Sequence, residues 1–200
     1  MYQRPYDPDF PVVCMDESTK QLIGEVADPI AMTQNHCELI DHEYVRNGVA
    51  TIFAEVEPLG GRRHVKITQR RTARDWALFI KEMLDERYPE ATKVVLVLDN
   101  LNIHKIASLY ETFPAEEAKR LAERLELHFT PVHGSWLNIC EIELSVLSSQ
   151  CLNRRIEDME TITSEVKQWQ ERRNNKKATI DWQFTNEKAR IKLKRLYPKL

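Results

Sequence analysis

Two aspartates, Asp16 and Asp99, each follow a short apolar run, Pro11–Met15 and Val94–Leu98, that is typical of a buried strand. If these strands are neighbours, the two carboxylates converge, and a divalent cation would relieve their repulsion. Hard oxygen ligands suit Mg²⁺ or Mn²⁺, and two such ions could flank a phosphodiester. An acid in this position also commonly caps the next turn. The pair alone therefore indicates only an α/β protein with a candidate metal site.

Two further acids, Glu141 and Glu143, lie on a helix predicted to be capped by Ser135 and to run to about Leu152. At ~100° per residue, their side chains point about 200° apart. Glu141 borders one side of the apolar stripe of this helix, and Glu143 borders the other. The helical wheel therefore leaves open which of them joins the aspartates.

The elements that must position these acids follow from the hydrophobic pattern. Residues 28–48 are polar and irregular and are predicted as a loop or weak hairpin, whereas Ala50–Glu57 and Arg63–Thr68 predict two paired strands. Thr72 with Asp75 predicts a helix start. The other predicted elements are a short helix within 104–111, a helix from Pro114, a strand at Leu127–Thr130, and helices at 158–174 and 186–196. This order favours a mixed sheet with helices on its faces.

Composition narrows the class of protein. A chain of 200 residues, 42% of them hydrophobic, suits one folded domain over residues 1–200. No apolar run approaches the ~20 residues of a membrane helix, and the N-terminus lacks the core of a signal peptide. We therefore expect a cytoplasmic protein with no membrane contact. The four cysteines have no zinc-site spacing and are predicted to be reduced thiols.

Charge is uneven along the chain. The net charge is -2, yet the basic C-terminal tail, residues 172–200, holds ten Lys or Arg against Asp181 and Glu187, a net +8. A second basic cluster consists of Arg62, Arg63, Lys66, Arg70, Arg71 and Arg74. Such clusters can neutralise phosphates locally, although an ordinary solvated face is the alternative interpretation.

Three segments carry a resemblance to a known family. They are Pro11–Glu17 (PVVCMDE), Val97–His104 (VLDNLNIH) and Thr130–Leu144 (TPVHGSWLNICEIEL). They resemble the three signatures of DDE transposases of the mariner superfamily, in its bacterial insertion-sequence branch (family six-thirty). The resemblance covers nearly the whole chain and implies a ribonuclease H-like fold, an α/β structure whose mixed five-stranded sheet has helices on both faces.

The resemblance also assigns roles to residues. Asp16 and Asp99 match the first and second catalytic acids, and Glu141 matches the third because it follows Leu137 and Asn138 as in the family motif. These three acids are expected to hold two Mg²⁺ or Mn²⁺ ions. Four further residues are candidates for supporting roles. Asn102 and His104 could contact the scissile phosphate or orient Asp99. The other two are Asn138 and Glu143, and Glu143 is also the runner-up for the third acid.

The activity implied by the resemblance is hydrolysis of transposon-end phosphodiesters, followed by joining of the freed 3′-hydroxyl to target DNA. The expected partners are transposon-end and target DNA and a second copy of the chain. The family's N-terminal helix-turn-helix region is expected to be absent, so an upstream-frame helix-turn-helix protein is a further candidate partner. The alternative function is that of a truncated, non-catalytic remnant that binds DNA or full-length transposase as an inhibitor.

Overall fold

The computed structural model describes residues 2–39, 41–132 and 134–192, and within them five strands form one mixed sheet. The strands are β1 (Val12–Glu25), β2 (Tyr44–Glu57), β3 (Arg62–Thr68), β4 (Val94–Leu98) and β5 (Leu125–Phe129). Their order across the sheet is β3-β2-β1-β4-β5. β1, β2 and β3 pair antiparallel, whereas β4 and β5 run parallel to β1. The predicted mixed five-stranded sheet is confirmed.

The helices alternate with the later strands. They are α1 (Ala73–Glu82), α2 (Ile106–Thr112), α3 (Ala115–Glu123), α4 (Ile139–Leu147), α5 (Met159–Asn175) and α6 (Asn186–Lys192). Single π-helical turns, Met83–Arg87 and Ser148–Leu152, extend α1 and α4. The predicted basic helix 186–196 is confirmed as far as Lys192, and the rest of it lies outside the described residues. None of the helices described is long and apolar enough to cross a membrane.

Helices cover both faces of the sheet, as predicted. On one face, Met15 and Leu96 pack in a core with Trp76 and Phe79 of α1. On the other face, Cys14, Ala54 and Val97 pack against Ile139 and Cys140 of α4, and Ile52 packs in an adjoining core with Val166 and Trp169 of α5. Because side chains alternate along a strand, neighbouring residues such as Cys14 and Met15 enter opposite cores.

The two predicted helix starts had different outcomes. Thr72 does cap α1, because its hydroxyl accepts from the Asp75 amide at 3.2 Å while the Asp75 carboxylate accepts from the Thr72 amide at 2.9 Å. The cap predicted at Ser135 is wrong. Ser135–Leu137 form a 3₁₀ turn, and α4 begins only after Asn138, whose side chain accepts from the Cys140 amide at 3.1 Å.

β1 and β2 form a longer hairpin than the sequence pattern predicted. β1 continues past Asp16 to Glu25, and β2 begins at Tyr44 instead of near Ala50. The loop expected over residues 28–48 is therefore shorter and contains one antiparallel bridge, between Ile30 and Leu39. The first six residues of β2 are exposed, so no alternation of buried and exposed side chains marks this part of the strand.

Candidate metal-binding active site

Asp16 and Asp99 lie side by side on adjacent parallel strands. Cys14 of β1 pairs with Val97 of β4, so the same register two residues later brings Asp16 level with Asp99. Both acids follow the alternation of Cys14 and Val97, which enter the core beneath α4, so they lie on the α4 side of the sheet. The sequence pattern predicts that Asp16 follows the end of its strand, but β1 continues past it to Glu25. Asp16 marks the point where the neighbouring β4 ends.

Hydrogen bonds fix one oxygen of each aspartate. Oδ1 of Asp16 accepts from the Glu17 amide at 2.8 Å. Oδ1 of Asp99 accepts from the Leu101 amide at 3.0 Å and lies 2.8 Å from Nδ1 of His104. The Oδ2 atoms make no hydrogen bond to the part of the chain that the structure describes. Each carboxylate is thus oriented through one oxygen and has a second oxygen free to bind a ligand.

The N-terminus of α4 is tied directly to the strand that carries Asp16. The Asn138 Nδ2 donates to the carbonyl oxygen of Met15 at 2.7 Å, and the Asn138 side chain is completely buried. The Cys140 thiol lies 3.3 Å from the carbonyl oxygen of Ala54, the residue that pairs with Asp16 in β2. These two contacts place the first turn of α4, which contains Glu141, above Asp16.

Glu141 and Glu143 have very different surroundings. Glu141 is partly exposed, and its side chain makes no hydrogen bond within the described residues. Glu143 is only 2% exposed, and its carboxylate accepts from Nε and Nη2 of Arg173 at 2.6 and 3.1 Å. Nε of Arg63 also lies 2.8 Å from Glu143 Oε1, without the alignment of a hydrogen bond. Glu143 of α4 is therefore shared by two arginines, the buried Arg63 of β3 and the partly buried Arg173 of α5.

The negative charges of neighbouring acids act on Asp16. Burial, followed by the negative charges of Glu17, Asp99 and Glu141, raises the pKa of Asp16 to about 7, against the opposing hydrogen bond from the Glu17 amide. Even so, within residues 2–39, 41–132 and 134–192 no three His, Cys, Asp or Glu side chains are close enough to hold one metal ion. The Glu141 side chain makes no hydrogen bond within the described residues, so it can change rotamer without losing one.

His104 connects Asp99 to an acid that sequence reasoning missed. Its Nε2 lies 2.8 Å from Oε1 of Glu17, and its Nδ1 lies 2.8 Å from Asp99. Burial alone would lower the pKa of His104, but the hydrogen bonds to Asp99 and Glu17 raise it to about 9. The hydrogen bond from His104 also lowers the pKa of Asp99. An imidazolium between two carboxylates therefore holds Asp99 ionised and in a fixed orientation.

The sequence did contain a signal for Glu17. Glu17 directly follows Asp16 in a strand, so its side chain must enter the core on the opposite face, where a carboxylate needs a partner. His104 is that partner, and its side chain is completely buried. Asn102, by contrast, is exposed and makes no side-chain hydrogen bond within the described residues, so the expectation that it orients Asp99 has no contact to support it.

The sheet order and the paired acids together define a ribonuclease H-like α/β domain with a carboxylate site. Residues 11–163 match the family model described as DDE superfamily endonuclease. The chain therefore belongs to the DDE superfamily endonuclease family. No curated protein is significantly similar to it.

Three solved structures of Mos1 complexes share the fold of this chain. The Mos1 mariner paired-end complex with Mn aligns with a TM-score of 0.54 and 12% identity, over 81% of this chain and 48% of that chain. The Mos1 transposase paired-end complex with the left transposon end gives 0.53 and 11%, over 87% and 57%. The Mos1 strand transfer complex gives 0.52 and 9%, over 80% and 47%. This chain spans about half the length of these chains, and the likeness shows the shared fold.

Proposed function

We propose that this chain is the catalytic domain of a metal-dependent DNA transposase that cleaves transposon-end phosphodiesters and joins the 3′-hydroxyl ends to target DNA. The observation that carries the proposal is the placement of Asp16 level with Asp99, beneath a helix turn that contains Glu141. Membership of the DDE superfamily endonucleases supports it. The motif in Thr130–Leu144 further favours the bacterial insertion-sequence branch.

The proposed ligands of the catalytic metal are Asp16, Asp99 and Glu141. Their chemistry fits Mg²⁺ or Mn²⁺, because all three offer hard carboxylate oxygens and the buried Asp16 forms no ion pair within the described residues. Two bound ions would supply Lewis-acid activation of the attacking oxygen and charge stabilisation at the leaving oxygen. The protein's own part is to fix the geometry. His104 orients Asp99, and Asn138 keeps the turn of Glu141 in position over β1.

Glu141 is the third acid in this proposal, and Glu143 has a supporting role. Glu143 already pairs with Arg63 and Arg173, and turning it toward a metal would leave the buried Arg63 and the partly buried Arg173 without their shared anion. Breaking a buried ion pair in this way typically costs about 3–5 kcal/mol. Glu141 can move at no such cost.

The proposed partner is DNA, both transposon ends and target, and the acting species is a homodimer. The Mos1 structures of the same fold are paired-end and strand transfer complexes, which supports this assignment. An upstream-frame helix-turn-helix protein would supply recognition of the transposon ends.

The test is nicking of a supercoiled plasmid that carries the DNA flanking the coding sequence, with Mn²⁺ or Mg²⁺. We expect nicking by the wild-type chain and a loss of at least about 100-fold in Asp99→Asn, because losing a metal ligand removes several kcal/mol of transition-state stabilisation. Glu116→Gln, which changes an exposed acid of α3, is the matched control and should nick normally. Equal nicking by Asp99→Asn and wild type would overturn the proposal. DNA binding without any nicking would favour the non-catalytic inhibitor.

A further inference from the structure

Five of the six residues of the basic cluster found in the sequence divide into two groups in the structure, and Arg62, exposed at the start of β3, belongs to neither. Arg63 is buried against Glu143, and Lys66 pairs with Glu82. Arg70, Arg71 and Arg74, in contrast, are exposed, and their side chains make no hydrogen bond or ion pair within the described ranges. The first group stabilises the fold. The second group, Arg70, Arg71 and Arg74, is here called the arginine loop. Contacts within the described residues do not explain why three cations lie together here.

A chain of contacts connects the base of the arginine loop to the proposed active site. Arg70 and Arg71 lie between the end of β3 at Thr68 and the start of α1 at Ala73, and Arg74 lies in the first turn of α1. In the first turn of α1, the Trp76 ring lies 5.8 Å from the ring of His104, which in turn contacts Asp99. The hydrogen bond from His104 is the main cause of the lowered pKa of Asp99, and the positive charge of Arg71 adds to the same shift.

The end of the loop that joins α1 is held in a defined conformation. The reciprocal hydrogen bonds between Thr72 and Asp75 fix the backbone between Arg71 and Arg74. Asp75 is engaged in this cap and in a further contact to the Thr72 hydroxyl at 2.6 Å, so it is not positioned to neutralise the arginines. Cations on a fixed base lose less entropy when they contact an anion than cations on a mobile segment.

We propose that Arg70, Arg71 and Arg74 contact backbone phosphates of the DNA strand that enters the acidic site. This proposal rests on the proposed function, because it takes DNA as the substrate. Three carboxylates at one edge of the sheet repel a polyanion, and cations beside them offset that repulsion. Guanidinium groups bind phosphate oxygens in a bidentate manner, and phosphate contacts of this kind position a nucleic acid without reading its sequence.

The test measures the salt dependence of DNA binding, which needs neither metal nor cleavage. A fluorescent DNA duplex is titrated with protein in EDTA at several salt concentrations between 50 and 200 mM. The logarithm of the DNA association constant falls linearly with the logarithm of the salt concentration. Each lost phosphate contact should make the magnitude of this slope smaller by about 0.9. We therefore expect a decrease of about 0.9 for Arg71→Ala and about 2.7 for the triple alanine variant, at unchanged melting temperature. Arg71→Lys should keep most of the slope.

Lys119→Ala is the matched control, because it removes one exposed cation from α3. If the triple variant has the same slope as Lys119→Ala, the arginine loop does not contact DNA and the inference is overturned. A lowered slope in a chain that never nicks DNA would support the arginine loop as a phosphate contact while the catalytic proposal fails. Normal nicking with an unaltered slope would reject the arginine loop alone.

Discussion

Asn138 donates a hydrogen bond from Nδ2 to the carbonyl oxygen of Met15 at 2.7 Å, and thereby joins the strand of Asp16 to the helix of Glu141. The same side chain accepts from the amide of Cys140 at 3.1 Å and so caps that helix. One buried amide thus uses its donor for the strand and its acceptor for the helix, and the relative position of two proposed metal ligands depends on both bonds.

The first prediction concerns this amide. Asn138→Ala should remove the cap, at a cost of about 1 kcal/mol, and leave the Met15 carbonyl without its partner. We expect a lower melting temperature and at least about a tenfold loss of Mn²⁺-dependent nicking at a temperature where the variant is folded, because small displacements of catalytic groups have large effects on rate. Asp158→Ala removes the cap of α5, where Asp158 accepts from the Thr161 amide at 2.7 Å, and is the matched control. Equal nicking by the two variants would show that Asn138 stabilises the fold without positioning the site.

The second prediction separates Glu141 from Glu143. Glu143→Gln should lower stability by several kcal/mol, because the completely buried side chain of Arg63 and the partly buried Arg173 lose their shared anion. Glu141→Gln should leave the melting temperature unchanged or raised, since it removes a repulsive charge near Asp16, yet abolish nicking. Thermal melts and nicking rates of the two variants show which glutamate is needed for stability and which for nicking. If Glu143→Gln is stable but inactive while Glu141→Gln is active, then Glu143 is the third metal ligand and Glu141 is not.

These two glutamates also show what a single sequence can and cannot predict. The strand Val94–Leu98 and the cap at Thr72 were predicted correctly, because an apolar run on both faces and a capping box are local signals. The choice between Glu141 and Glu143 could not be made from the helical wheel. It depends on arginines of β3 and α5 that are distant in the sequence and meet Glu143 only in the folded structure.

Other differences between prediction and structure have similar causes. Ser135 is a good capping residue, but Asn138 takes that role because its amide can also reach the Met15 carbonyl across the chain. The partnership of Glu17 with His104 likewise depends on a contact between β1 and the loop after β4. Tertiary contacts of this kind leave no periodic trace in the sequence.

The third prediction concerns the pair formed by Glu17 and His104. Both side chains are almost completely buried, and each neutralises the other. His104→Ala should therefore destabilise the chain strongly, and most of that loss should already be present in Glu17→Ala, so that the double variant is little worse than either single variant. Urea unfolding of the four proteins gives the coupling free energy, which should exceed about 1 kcal/mol. Additive losses would mean that the two groups do not interact.

The fourth prediction concerns acid stability at the contact between α1 and α3. Hydrogen bonds from Arg120, opposed in part by burial and supplemented by Lys81, lower the pKa of Asp85 to about 2. A carboxyl group whose pKa is lowered by folding contributes stability above its unfolded pKa of about 3.8 and loses that contribution as the pH falls toward 2. Asp85→Asn should therefore destabilise the chain more at pH 6 than at pH 3, as measured by urea midpoints. Equal destabilisation by Asp85→Asn at both pH values would contradict the predicted loss of stability at low pH.

The most direct measurement is the affinity of the DNA-bound chain for Mn²⁺. The electron paramagnetic resonance signal of free Mn²⁺ reports how much of the ion is bound. Because Asp16, Asp99 and Glu141 are proposed to share the metal ions, Asp16→Asn, Asp99→Asn and Glu141→Gln should each bind Mn²⁺ far more weakly than the wild-type chain. Glu116→Gln should bind it normally. If any one of the three variants, folded and bound to DNA, takes up Mn²⁺ with wild-type affinity, that acid is not a ligand and the shared metal site proposed here is wrong.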